Sequence, residues 1–132
     1  MNIKDRLLYS WNPGLGLFIL RITLGCFMFF AHGLPKLINF STLMPNFPDP
    51  LQIGRFFSLS LAVFAEFFCA IGLVLGLGTR LVLIPLIITM GVAAFWVHGA
   101  DPFAKKEMAL LFLTGFLTIF LAGPGLYSVD KK

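Results

Sequence analysis

Four long apolar stretches, separated by short polar or proline-rich breaks, set the pattern of this chain. They run over about residues 14–36, 55–76, 80–98 and 102–123. Each holds about 20 residues, enough at 1.5 Å per residue to cross about 30 Å of hydrocarbon. The pattern predicts an all-α polytopic membrane protein, a single four-transmembrane-helix bundle over residues 1–132. Between the first two segments Pro45, Pro48 and Pro50 make a loop too broken to span. Gly76-Leu77-Gly78-Thr79-Arg80 reads as a tight turn, and Asp101-Pro102 as an N-cap followed by proline at the first helical position. Residues 1–13 form a polar-aromatic lead-in whose Tyr9 and Trp11 suit the headgroup level. After Pro124-Gly125 the tail returns to the surface with Tyr127, Lys131 and Lys132.

Within the segments, side chains sort by face. On the first, Arg21, Gly25, Met28, His32 and Lys36 make one stripe at helical spacing. On the second, Arg55, Ala62, Glu66 and Ala70 lie opposite Phe57, Phe64 and Phe68. On the fourth, Glu107, Thr114 and Thr118 lie opposite Phe112, Phe116 and Phe120. Polar groups avoid hydrocarbon and phenylalanines do not, so we expect the polar stripes inside and the phenylalanines toward lipid. Small residues on those stripes let backbones approach, and Gly72-x-x-x-Gly76 is a further close-contact candidate. A faint repeat links the halves. Phe29-Phe30-Ala31-His32-Gly33 closes the first segment, Phe95-Trp96-Val97-His98-Gly99 the third, and the following segments carry Glu66 and Glu107. It predicts two helical hairpins related by an axis along the membrane normal, with both histidines near one surface.

Composition narrows the class. With 58% hydrophobic residues, 12% charged and a mean hydropathy of +0.92, a chain of 132 residues has too little interior to hide its apolar surface from water. The net charge of +4 comes from basic residues at segment ends, a membrane-flank pattern that sets nucleic acid aside. The side of the termini carries Lys4, Arg6, Arg80, Lys131 and Lys132, the other side Lys36, Arg55, Lys105 and Lys106. Five against four favours cytoplasmic termini. Arg21 interrupts the first apolar run and no small-residue cleavage site follows, so we expect a retained first span rather than a signal peptide. Cys26 and Cys69 both lie in apolar runs and form no C-x-x-C, which favours inert packing over dithiol chemistry.

Ionisable side chains inside a span are costly, so each needs a partner or a task. Arg21 lies about 10 Å into the first helix and Glu66 near the middle of the second, a depth difference of about 5 Å that a long arginine covers. They are expected to pair, either as a buried ion pair that sets helix register or as the floor of a polar cavity as well. His32 and His98 lie at matching depth near the far ends of their helices. Each is either a helix-end histidine beside a terminating glycine, favoured by the helix dipole, or a member of a shared pocket with Lys36 and Glu107. Gly91 and Ala94 would leave room beside His98. Facing histidines suit haem ligation and His/Glu clusters suit metals, but neither H-x-x-E-H nor E-x-x-H spacing occurs. Haem is therefore disfavoured and no metal site is assigned. Lys105 and Lys106 read as a solvated edge. No nucleophile–base–acid set, P-loop or GxGxxG unit is present. The ligand-pocket candidates are Arg21, His32, Lys36, Glu66, His98 and Glu107.

The ordered set Leu20-Arg21-x-x-x-Gly25, His32-Gly33-x-x-Lys36-Leu37, Ala65-Glu66, Gly76-Leu77-Gly78-Thr79-Arg80, Glu107-x-Ala109-Leu110 and Gly123-Pro124-Gly125-x-Tyr127-Ser128-x-Asp130 resembles the DoxX family of small bacterial membrane proteins. The resemblance covers residues 14–130. It implies a four-helix fold in the bacterial inner membrane with both termini cytoplasmic. Some family members are described as subunits of quinone-linked sulfur oxidoreductases, or as partners of thiol-redox enzymes at the membrane. It marks Arg21, His32, Lys36, Glu66, Arg80 and Glu107 as family-pattern positions and not as catalytic ones. Two functions follow as expectations. One is a redox-linked membrane subunit whose outer-side pocket binds a quinone headgroup or similar molecule. The other is a non-catalytic scaffold or assembly partner for a membrane oxidoreductase. Lipid is the expected surrounding, with oxidoreductase subunits or further copies of the chain as partners.

Overall fold

The computed structural model describes residues 2–9 and 11–131, and all their regular structure is helical. A short lead-in helix, α1 (Ile3–Leu8), starts at a capping box in which Asn2 and Asp5 bond each other's backbone amides. Asn12 then accepts a bond from the Leu15 amide (2.9 Å) and Pro13 takes the first helical position, which starts α2 one residue earlier than expected. α2 covers residues 13–38, as Pro13–Met28, a π-helical turn at Phe29–Gly33 and Leu34–Ile38. α3 (Phe40–Leu43) and the loop that follows lead to α4 (Arg55–Leu75), which carries a π turn at Phe64–Cys69. α5 (Thr79–Val97) has one at Ala93–Val97, and α6 spans Phe103–Ala122.

The helices end for local reasons. Gly76 adopts φ 67°, and the Leu77 amide reaches back to the Gly72 carbonyl (2.9 Å), closing α4 in a Schellman-type turn. Pro102 has ψ 151° and so precedes α6 rather than opening it; Asp101 turns back to His98 instead of capping. The π turn of α2 directly precedes Pro35. A proline there cannot donate to the carbonyl four residues back and its ring needs space, so the backbone widens and Leu34 bonds Phe29 instead. The π turns of α2 and α5 lie toward the ends of those helices away from the termini, and that of α4 spans its middle.

Among the described residues, three helices are long and apolar enough to cross a membrane. α6 is also 20 residues long, but Lys105, Lys106 and Glu107 occupy its first turn and a half. Consecutive long helices run antiparallel. α5 and α6 pack most extensively, followed by α2 and the last part of α4. The core between them holds Met28, Leu73, Leu83, Leu86, Phe116 and Ile119, all fully buried.

The face assignment holds on α4 for Ala62, Glu66 and Ala70, which are buried while Phe57, Phe64 and Phe68 are exposed, but not for Arg55, which is exposed at the helix start and bonds the Pro45 carbonyl. It is reversed on α6. Phe112 and Phe116 lie in the core with Ala109 and Ile119, and Glu107, Thr114 and Thr118 face outward. A threonine hydroxyl can bond the carbonyl one turn back, as Thr114 does to Leu110 (2.8 Å) and Thr118 to Thr114 (2.8 Å). It then needs no polar interior, and the large aromatic area decides the face. The Gly72/Gly76 pair does mark close contacts: Val82 of α5 packs on Gly72, and Arg21 and Ser128 pack on Gly76.

Candidate functional site

Two glycines of α2 set its register against α4. A Cβ on Gly25 would lie 2.5 Å from Val74 Cγ2, and one on Gly33 only 2.1 Å from the Glu66 carbonyl oxygen. Gly33 is helical (φ −69°) and does not terminate the helix; its task is to let two backbones touch. Glu66 is therefore level with Gly33. Arg21, twelve residues earlier, is about 18 Å away along the axis.

The expected Arg21–Glu66 pair is accordingly not formed. Arg21, 1% exposed, lies beside Gly76 at the end of the bundle near the termini. Its Nη1 donates to the carbonyls of Val74 (2.7 Å) and Leu73 (3.3 Å), and its Nη2 to that of Tyr127. Phe18 covers the guanidinium at 5.6 Å. Depth counted from the start of each helix misled here, because α2 extends past the end of α4 and the C-terminal tail fills the step. That tail adds amide bonds from Val129 to Leu75 (3.2 Å) and from Asp130 to Gly76 (2.9 Å). Asp130 also accepts from the Gly78 and Thr79 amides and the Thr79 hydroxyl, supplying the cap that α5 lacks. Those bonds, the Thr79 amide foremost, hold its carboxyl below the usual carboxylate range.

At the other end Glu66, 3% exposed, pairs with Lys36 through Oε1 at 3.1 Å. Its second oxygen, Oε2, is buried without a partner. Lys36 and Glu66 line a cavity of ≈280 Å³, walled mostly by apolar side chains of α4, α5 and the α3–α4 loop, with His98 also on its lining. Leu61 and Ile88, each more than half exposed, belong to that lining, so the cavity reaches the lipid-facing surface between α4 and α5. Its cover is the loop segment containing Phe47, Pro48, Leu51 and Ile53. Asp49 ties this segment to α4 by accepting from the Ser58 hydroxyl (2.7 Å) and from the Ile53 and Gly54 amides (3.0 and 2.9 Å). The Ser58 bond is the main reason its carboxyl is held below the usual range.

The six sequence candidates thus separate. Lys36, Glu66 and His98 line the cavity; His32, Glu107 and Arg21 do not. His32 sets its ring edge-on to Phe112 (centroids 5.7 Å apart), and Glu107 is exposed. His98 bonds Asp101 at 2.9 Å, and their hydrogen bond lowers the Asp101 carboxyl. The pocket shared by both histidines, Lys36 and Glu107 is therefore not assembled in this form. Met90 and Ala93 border the cavity, and Gly91 and Ala94 do not. Asp49, Ser58, Asp101 and Asp130 were not among the candidates. An uncapped start at Thr79 is the signal that could have pointed to Asp130.

Glycines at helix crossings, an arginine holding the last carbonyls of α4 and a bundle of apolar helices together frame the comparison with known proteins. The family model described as DoxX matches residues 16–99. The chain belongs to the DoxX family. The match takes in Arg21, Lys36, Glu66 and His98 but ends before Glu107 and the tail. No curated protein and no solved structure matches the chain. As a DoxX protein with these apolar helices, it is a membrane protein.

Proposed function

We propose that this DoxX protein is a redox-linked subunit of the bacterial inner membrane whose cavity holds the headgroup of a quinone or a similar amphiphile. The observation that carries this reading is the part-buried Lys36–Glu66 pair, its carboxylate buried, beside a mainly apolar cavity open toward lipid. Ligand sites typically combine apolar walls with a few convergent polar groups, and their volumes begin near about 300 Å³. The ≈280 Å³ here suits one ring with its tail trailing between α4 and α5. When bound, a quinone would supply electron transfer; the chain's own residues supply the site. Lys36 donates hydrogen bonds to an oxygen of the headgroup, Glu66 accepts one when the head carries a hydroxyl, as a reduced quinone does, and the Asp49-anchored loop limits water. The excess of basic residues on the side of the termini supports a cytoplasmic location for both, which places the cavity toward the outer leaflet.

Purified protein, extracted with organic solvent and analysed for quinone, tests this reading. The expected result is quinone above the level of the co-purified lipid, reduced in Glu66→Gln. A lipid-only preparation, unchanged by the variant, would overturn the reading and leave the chain as a scaffold for a membrane oxidoreductase.

A further inference from the structure

The cavity's two polar groups differ in what they can offer, and the difference selects a ligand chemistry. Lys36 carries three N–H donors, one of them spent on Glu66 Oε1. Glu66 in its ion pair with Lys36 carries acceptors only, and Oε2 has none of its bonds made. A buried acceptor without a donor is costly, more so for a carboxylate than for a neutral oxygen. The terminal torsion of a glutamate is soft, so the carboxylate can turn its free oxygen toward the cavity without moving the helix. The other donors on the lining are spent: the Ser58 hydroxyl on Asp49, the Thr89 hydroxyl on the Pro85 carbonyl, one Lys36 proton on the neighbouring oxygen, while His98 directs Nδ1 at Asp101.

Resting on the reading of this cavity as a small-molecule site, we infer that it selects uncharged amphiphiles whose head carries a hydroxyl, such as a phenol or hydroquinone, over isosteres that only accept hydrogen bonds. A hydroxyl satisfies both groups at once: it donates to Glu66 Oε2 and accepts from Lys36. A carbonyl or ether oxygen can accept from Lys36 but leaves Oε2 bare. An anionic head would meet the Glu66 carboxylate, and a cationic one would meet the Lys36 ammonium, so neither sign of charge is favoured. Within the quinone reading the preferred form is the reduced one, which carries two hydroxyls.

The test uses the full chain in nanodiscs, with empty nanodiscs to subtract partition into lipid. Binding of 4-propylphenol and of its methyl ether, 4-propylanisole, is measured by calorimetry. The phenol is expected to bind at least about tenfold more tightly, the margin typical of a hydrogen bond to a charged group. The double variant Lys36→Met/Glu66→Leu, which removes both polar groups together, is expected to bind the two compounds equally. Equal binding by the natural chain, or a preference that survives in the double variant, would overturn the selection while leaving the cavity as a ligand site. Failure of both compounds to bind above empty nanodiscs would overturn the ligand site itself.

Discussion

The two ends of the bundle each bury an ionisable side chain, and they use it differently. Near the termini, Arg21 is closed in by α2, the end of α4 and the C-terminal tail, and three backbone carbonyls share its two terminal nitrogens. Its Nε has no partner either, but Arg21 lines no cavity. A hollow of ≈310 Å³ does lie at that end beside Asp130, whose two carboxylate oxygens are both bonded to the start of α5. Farther along the bundle Glu66 keeps one oxygen free next to open space, the π turns of α4 and α5 border that space, and a proline-rich loop forms the cover. Dense bonding to fixed carbonyls is what a clasp needs. Free polar atoms beside a lipid-facing cavity are what a ligand needs.

The sharpest way to break this comparison is Arg21→Met. It strands the carbonyls of Leu73, Val74 and Tyr127, each costing about 1–3 kcal/mol where water cannot replace the arginine. Tyr127 is half exposed, which eases rehydration of its carbonyl, so we expect a total loss of about 3–5 kcal/mol, read as a large fall in melting temperature in detergent. A loss under 1 kcal/mol would mean that the clasp is ornamental.

Next in size is Gly33→Ala. Its Cβ would meet the Glu66 backbone, which cannot step aside, so α2 and α4 must separate at a cost of about 3 kcal/mol. Gly25→Ala meets the end of a valine side chain and should cost less. Gly16→Ala meets nothing within 4 Å and should stabilise the helix by about 0.5–1 kcal/mol. Melting the three variants side by side checks the ranking, and equal shifts would refute the register described above.

Lys36→Met comes third. Lys36 is 22% exposed, so the loss on stranding the Glu66 carboxylate should be about 1–3 kcal/mol, below the value for a fully buried pair. Adding Glu66→Gln should recover much of it, and strictly additive losses in the double-mutant cycle would show that the two side chains do not interact.

The smallest effect expected is that of Asp130→Asn, and it carries a pH signature. Because the folded state holds this carboxyl below its ordinary value near 3.8, its contribution is complete above that pH and disappears as pH falls through the lower folded value. Melting curves of the natural chain and the variant should differ most at neutral pH and draw together as the pH falls below about 3.8. A difference that persists in acid would assign the effect to packing of the tail.

Much of the architecture was legible along the chain because it depends on local quantities. Runs of about 20 apolar residues determine that helices form and span, and Gly76 marks where one of them stops. The buried face of α4 was equally plain, since a glutamate and small residues oppose three phenylalanines. On α6 the same rule pointed the wrong way. Threonines that bond their own helix lose their claim on the interior, and only the volume to be filled between α2 and α5 decides that Phe112 and Phe116 enter it. Partner choice was the other thing that sequence could not decide. Arg21, Lys36 and Glu66 were recognisable as groups needing partners, but which one Glu66 meets depends on the sliding register of two helices. That register is set where Gly33 touches the Glu66 backbone and where the tail docks against Gly76. Hydropathy is a property of each segment, whereas register and cavity shape arise only when segments pack, and about three turns of register separate the ion pair that forms from the one expected.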